Sequence, residues 1–283
     1  MIAIVVDSTC MLTRAEASRL GATVVSSTYV VDGLPREETY LDEVGDYDAL
    51  LAEGRVSGTH APAPEAFRAA FDALTRAGSD VLCVTMSSRL AGTYRNACRA
   101  ADELVPGLAA LPGKPRIAVV DSLSGFSNTE YLAVRARRLA DEGQTLDEVA
   151  TDLVDARTRQ GICFSVPSTE PLRSSGRLSM LPQSVTTMLN RYPVLTMRDG
   201  AIAYEGTARG THSLAHAMLD QVPPDADDLL LAHYGPRGPL IVELLRATRT
   251  RFPGARVRVK DGGPVLSCNL GRGSASVAWG PRD

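Results

Sequence analysis

The sequence has no C-x-x-C pair, and its five cysteines are scattered over 283 residues. An odd, dispersed set does not indicate a disulfide framework. No apolar run approaches the roughly 20 residues that cross a bilayer. The first residues lack a basic segment and a cleavage site, so no signal peptide is expected. These absences favour a cytoplasmic protein whose membrane contact is at most transient.

An excess of basic residues is also missing, since the formal net charge is -3. Nucleic acid is therefore not an expected partner. Neither the G-x-S-x-G turn nor the Walker A phosphate loop occurs. His212 and His216 have helical i, i+4 spacing, but no glutamate lies between them and the spacing identifies no third zinc ligand. We therefore expect neither a metal site nor a cofactor.

What is present is an ordinary globular balance, with 44% hydrophobic residues, which is enough for a sizeable core. In the first half, residues 2–6, 81–86 and 117–120 are continuous apolar runs, while residues 64–74 carry an apolar stripe at helical spacing. Strands without alternation, separated by helices, imply a parallel sheet covered on both faces. Residues 23–31 are rich in β-branched side chains and are predicted to form one further strand.

The second half changes character near residue 160. Two strand-like runs, 194–197 and 201–205, are joined by Asp199 and Gly200, a pair typical of a hairpin. A hairpin within an α/β pattern implies a mixed sheet. We therefore predict an α/β protein of two domains. Residues 1–160 form a three-layer α/β/α domain with a parallel sheet, and residues 161–283 form a smaller α/β domain with a mixed sheet.

Polar side chains follow three of the predicted strands, as Asp-Ser-Thr at 7–9, Ser-Ser at 87–88 and Asp-Ser at 121–122. Ligands of open α/β sheets bind beyond the carboxyl ends of the strands, where hydroxyls and helix-start N–H groups suit a carboxylate or phosphate. The plainer interpretation is helix capping. Thr59, in a proline-stiffened loop, offers a further hydroxyl, and Arg173 and Arg177 could neutralise an anion or dock an acidic partner. No activated nucleophile is evident, although a hydrolase or transferase that uses Ser87 or Ser88 remains the alternative.

In their order and spacing, the motifs resemble the DegV family over almost the whole chain. The resembling segments are 4–9 (I-V-V-D-S-T), 59–67 (T-H-A-P-A-P-E-A-F), 87–94 (S-S-R-L-A-G-T-Y), 119–122 (V-V-D-S), 172–179 (L-R-S-S-G-R-L-S), 193–200 (P-V-L-T-M-R-D-G) and 263–273 (G-P-V-L-S-C-N-L-G-R-G). The resemblance implies a non-catalytic carrier that holds a long-chain fatty acid, such as palmitate or oleate, in an apolar tunnel between the two domains. It also implies a partner, a separate fatty-acid kinase subunit that phosphorylates the presented carboxylate.

By motif position, the resemblance implies that Thr59 and Ser88 hydrogen-bond the carboxylate. Ser87 and Gly92, of the same motif as Ser88, are further expected ligand positions.

The same resemblance places Arg173 and Arg209 near the head-group face, where a kinase would dock. The chain departs from the family pattern at Asn269, which stands where the closing motif has histidine. Asparagine donates a hydrogen bond but never carries a proton charge. We therefore expect a neutral head-group site that includes Asn269.

Overall fold

The computed structural model describes residues 1–108, 110–178 and 191–280, so Ser179 of the 172–179 motif lies outside the described residues. The strands are β1 (Ile2–Asp7), β2 (Ala22–Val25), β3 (Ser27–Val31), β4 (Leu34–Glu38), β5 (Val56–His60), β6 (Asp80–Thr85), β7 (Ile117–Asp121), β8 (Gly161–Ser165), β9 (Arg191–Arg198), β10 (Ala201–Arg209), β11 (Asp228–Tyr234), β12 (Arg256–Asp261) and β13 (Ser274–Gly280). The helices are α1 (Arg14–Leu20), α2 (Tyr47–Ala52), α3 (Pro64–Arg76), α4 (Thr93–Leu108), α5 (Ser127–Asp141), α6 (Leu146–Ala156), α7 (Glu170–Ser174), α8 (Gly210–Leu219), α9 (Pro239–Arg251) and α10 (Gly263–Leu270). Within the described ranges, no helix has the length and apolarity needed to cross a membrane.

Four strands of the first half form a parallel sheet in the order β2-β1-β6-β7. Successive side chains of a strand point to opposite faces. In β1, Val5 accordingly packs with Phe67 and Phe71 of α3 on one face. Its neighbour Ile4 packs with Leu132 of α5 and with residues of α6 on the other face. The predicted three-layer arrangement is therefore confirmed.

The single strand predicted at residues 23–31 is wrong, because the chain changes sheets at Ser26. β2 belongs to the parallel sheet, whereas β3 is the centre of a separate antiparallel sheet of order β4-β3-β5. In β3, buried and half-buried side chains alternate, which is typical of a strand with one covered face. Composition alone does not show where a β-branched run leaves one sheet for another. The difference matters because β5, in this unpredicted sheet, carries Thr59.

The second half forms a six-stranded mixed sheet in the order β10-β9-β8-β13-β11-β12, in which β11 and β12 are parallel. The predicted hairpin is confirmed: β9 pairs antiparallel with β10, and Asp199 and Gly200 have φ values of 48° and 81° at the turn. Positive φ at both central residues defines the tight turn that suits a hairpin. Although this half is shorter in sequence, its sheet has two strands more than the parallel sheet.

The two faces of the mixed sheet have different neighbours. One face, with Leu229 and Leu231 of β11, is covered by α8 and α9. The opposite face, with Leu230 and Phe164, joins residues of the first half, such as Met86 and Phe126, in one apolar cluster. The two halves of the chain therefore share a buried interface.

Candidate functional site

A cavity lies where the two halves of the chain meet, with about 570 Å³ of space between its walls when the open solvent at its mouth is included. Its apolar wall comprises Ala61, Met86, Leu90, Ala91, Phe126, Leu172, Ile202, Val265, Leu266 and Leu270. Its polar lining comprises Thr9, Ser27, Thr59, His60, Thr93, Arg177 and Asn269. A mostly apolar wall with a few grouped polar side chains suits an amphipathic ligand.

Asn269 links two other polar side chains of the cavity lining. Its amide Nδ2 donates to Thr59 Oγ1 at 3.1 Å and to the Val265 carbonyl at 2.7 Å, while its Oδ1 accepts from Arg177 Nη1 at 2.9 Å. Since the Thr59 oxygen accepts from Asn269, its own O–H remains available to a ligand. Three elements that are distant in sequence, β5, the loop after α7 and α10, thereby build one polar cluster. We call Thr59, Arg177 and Asn269 the head-group cluster.

Arg177 gives the head-group cluster a positive charge. Its Nε donates to the Leu90 carbonyl at 3.0 Å, and its two bonds engage two of the five guanidinium N–H groups. Burial lowers the pKa of Arg177, and no carboxylate forms an ion pair with it within the described part of the chain. A half-buried cation without an anion favours an anionic ligand. The expected neutral site is therefore corrected: asparagine replaces the motif histidine, but an arginine supplies charge.

The predicted pair of Thr59 and Ser88 is not brought together. Thr59 lines the cavity, whereas Ser88 is exposed and outside its lining. The Ser88 backbone N–H donates to the Asp121 carboxylate at 3.3 Å, so this residue closes a turn between strand ends. Three positions of the same motif do reach the cavity: Leu90, Ala91 and the buried Thr93, which begins α4. The sequence of a motif does not show which hydroxyl of a turn points toward the cavity.

Ser87 holds the two halves of the chain together and does not line the cavity. Its side chain is fully buried, and its Oγ donates to the Gly200 carbonyl at 2.7 Å and accepts from the Arg89 N–H at 3.2 Å. A Cβ at position 200 would lie 2.6 Å from this Oγ, so glycine permits the close approach as well as the turn. Ser87 has no imidazole among its hydrogen-bond partners in the described ranges, which weighs against its use as a nucleophile.

The remaining predicted positions lie around the cavity or far from it. Gly92 lies between the lining residues Ala91 and Thr93 but is not itself in the wall. Arg173, half-buried in α7, precedes the arginine that does reach the cavity.

Arg209 does not lie near the cavity, contrary to the expectation from the motif resemblance. It is exposed at the end of β10, seven residues along that strand from the cavity residue Ile202. At about 3.3 Å per residue the separation is roughly 20 Å. Arg177, in the cationic loop recognised in the sequence, is the arginine that lines the cavity.

Helix α10, which carries Asn269, is fixed at its start by a buried carboxyl group. Glu38 Oε2 accepts from the Val265 N–H at 2.8 Å, and its Oε1 accepts from Ser8 Oγ at 3.0 Å. Desolvation raises the pKa of Glu38 to about 8 despite these bonds. Because the ordinary value is 4.5, the folded protein binds a proton that the unfolded chain releases between these pH values.

We therefore predict that the contribution of Glu38 to stability is fully present below pH 4.5 and falls as the pH rises to about 8, by at most about 5 kcal/mol. Glu38→Gln should remove this slope, since glutamine does not titrate and can bond both Val265 and Ser8. Urea unfolding at several pH values measures the difference from the unsubstituted protein. The exposed neighbour substitution Glu37→Gln serves as the control; equal slopes in all three proteins would contradict the prediction.

The fold is that of an α/β protein with a cavity between its two halves, and comparisons with known proteins specify its family. The DegV family model, described as uncharacterised, matches residues 1–282. A DegV domain-containing protein of Mycobacterium tuberculosis is 28% identical over 98% of this chain and 96% of its own length. This chain belongs to the DegV family, which confirms the resemblance seen in its motifs.

Two solved structures share the fold over nearly the whole chain. One is a DegV family protein from Thermus thermophilus, described for its fatty-acid binding, with 25% identity, a TM-score of 0.80 and coverage of 99% of both chains. Another is the fatty acid kinase B3 protein of Streptococcus pneumoniae, loaded with linoleic acid, with 19% identity, a TM-score of 0.81 and coverage of 99% of both chains. The second comparison shows the fold alone.

Proposed function

We propose that this protein binds a long-chain fatty acid in the cavity between its two halves, with the carboxylate at the head-group cluster. The observation that carries the proposal is the half-buried Arg177, which has no carboxylate partner in the described ranges and lies in a largely apolar wall. The fatty-acid binding described for the Thermus thermophilus relative supports it. We further infer that this lipid carrier works in the cytoplasm, because its five free thiols suit a reducing compartment.

The energetics of such a complex divide between tail and head group. Each buried CH₂ contributes about 0.8 kcal/mol, so a chain of roughly 16 carbons contributes on the order of 10 kcal/mol before association costs. Hydrogen bonds to a charged group contribute about 1.5–3 kcal/mol each and offset the desolvation of the carboxylate. The apolar wall thus supplies affinity, while the head-group cluster selects acids over neutral lipids.

Thr59→Val is expected to weaken oleate binding by roughly 10- to 100-fold, because one hydrogen bond to the carboxylate is lost. Methyl oleate should bind the variant and the unsubstituted protein alike. Calorimetric titration of the delipidated protein measures both ligands.

Ser88→Ala is the matched control for Thr59→Val and should leave both affinities unchanged, because Ser88 is exposed outside the cavity. Absence of one-to-one oleate binding to the unsubstituted protein would overturn the proposed function. Equal losses for acid and ester would show that Thr59 does not contact the carboxylate.

We also propose that the bound head group is presented to a fatty-acid kinase subunit. Two observations support this step: His60, next to Thr59, is exposed and lines the cavity, and a solved neighbour is described as a fatty acid kinase protein. Adding ATP and a kinase subunit to the oleate-loaded protein should yield an acyl phosphate, which hydroxylamine traps as a hydroxamate. If the kinase acted on another carrier but not on this one, the proposed presentation to a kinase would be contradicted, while the proposed lipid binding would be unaffected.

A further inference from the structure

A second cluster of ligating side chains lies on the opposite face of the mixed sheet from the cavity. His212 and His216 are one turn apart on α8, with ring centroids 4.6 Å apart, and Glu243 lies on the neighbouring helix α9. One ligand atom from each of the three residues lies within 4.8 Å of the other two. The sequence showed the histidine pair but not the third ligand, because only the packing of α8 against α9 brings Glu243 to it.

Both helices are held firmly, so the three side chains project from a fixed frame. Leu214 and Met218 of α8 and Ile241 and Leu244 of α9 are buried in the same apolar cluster under the mixed sheet. Sites on packed helices keep their geometry better than sites on loops. The two histidines are exposed, so an ion can reach them without any movement of the backbone.

The polar contacts of the cluster already resemble those of a metal ligand set. His212 Nδ1 lies 2.7 Å from Glu243 Oε1, and Arg246 donates to Glu243 through Nε at 2.9 Å and Nη2 at 2.6 Å. Both carboxylate oxygens of Glu243 are thereby engaged, Oε1 by His212 and Arg246 and Oε2 by Arg246. Arg246 fixes the orientation of this carboxylate, as outer partners of ligating carboxylates commonly do.

We propose that His212, His216 and Glu243 bind a zinc ion, with the fourth position open to water. Two imidazoles and one carboxylate form a known zinc ligand set, in which Zn–N and Zn–O bonds of about 2.0–2.2 Å place neighbouring ligand atoms about 3.3 Å apart. The 2.7 Å contact between His212 and Glu243 needs to open only slightly to admit the ion. The ion would tie α8 to α9.

The proposal is tested by calorimetric titration of the full chain, cleared of metal, with zinc chloride alone. We expect one equivalent to bind, and His212→Gln or His216→Gln to weaken the affinity by roughly 10-fold or more. Glu243→Gln, which keeps an oxygen for Arg246, should also weaken it. At one fixed concentration, zinc should raise the melting temperature of the unsubstituted protein by more than that of His216→Gln.

His60→Gln is the matched control, because it removes a histidine outside this cluster and should leave zinc affinity unchanged. Cobalt(II) in place of zinc should give the intense visible absorption of a tetrahedral site, and this absorption should be lost in His216→Gln. Absence of zinc binding, or equal affinity in the unsubstituted protein and all three cluster variants, would overturn the proposal. Neither result bears on lipid binding, since the two sites lie on different faces of the sheet.

Discussion

Arg177→Met is expected to weaken oleate binding by roughly 30- to 1,000-fold, equivalent to about 2–4 kcal/mol, since a partly desolvated carboxylate would lose its charge partner. Methyl oleate should bind almost as before, because the ester carries no charge. The ligand-free variant should unfold within about 1 kcal/mol of the unsubstituted protein, since the lost hydrogen bonds of Arg177 are offset by the relief of a half-buried charge. Paired titrations with acid and ester, and urea unfolding without ligand, measure these quantities.

Arg209→Met is the matched control for this prediction. The motif resemblance implied that Arg209 lies at the head group, whereas the structure places it at the far, exposed end of β10. The same substitution there should leave oleate affinity unchanged. If Arg209→Met weakened binding and Arg177→Met did not, the head-group cluster would be wrongly assigned.

The second large effect is expected when a bulky side chain of the protein itself fills the cavity. Ala91 lines the wall between Leu90 and Thr93, and a tryptophan at this position would occupy space that the acyl chain needs. We expect Ala91→Trp to weaken the binding affinity for both oleate and methyl oleate by at least roughly 100-fold. This loss equals the contribution of only three or four buried CH₂ groups at about 0.8 kcal/mol each. The equal loss distinguishes the tail site from the head-group cluster.

Ala69→Trp, an exposed position on α3, is the control for added bulk and should leave both affinities unchanged. Ile202→Trp, which enters the cavity from the mixed sheet, should reproduce the loss seen with Ala91→Trp. Full retention of binding in both cavity variants would place the acyl chain elsewhere.

The sequence predicts the features that depend on local patterns. Continuous apolar runs separated by amphipathic helices predict the layered parallel sheet. Asp199-Gly200 predicts the hairpin, because these residues tolerate positive φ. The order of the motifs predicts the family. These features need no knowledge of which distant segments meet.

The site was only partly predictable, because its members lie far apart along the chain. Thr59 and Asn269 were identified by motif position, and the structure joins them by a hydrogen bond of 3.1 Å. Arg177 stood in a loop whose charges are usually solvated, and its burial follows from contacts with Leu90 and α10 that no local pattern specifies. Ser88 lies outside the cavity, contrary to the expectation. No periodic sequence pattern fixes the direction of a hydroxyl in a turn, so the sequence could not predict this position.

The most direct test of the central claim is a crystal structure of the delipidated protein with one equivalent of oleate. The predicted result is an acyl chain between Leu90, Ile202 and Leu266, with carboxylate oxygens within hydrogen-bonding distance of Thr59 Oγ1 and the Arg177 guanidinium. Oleate with its carboxylate at the opposite end of the cavity, or bound only at the outer surface, would contradict the claim.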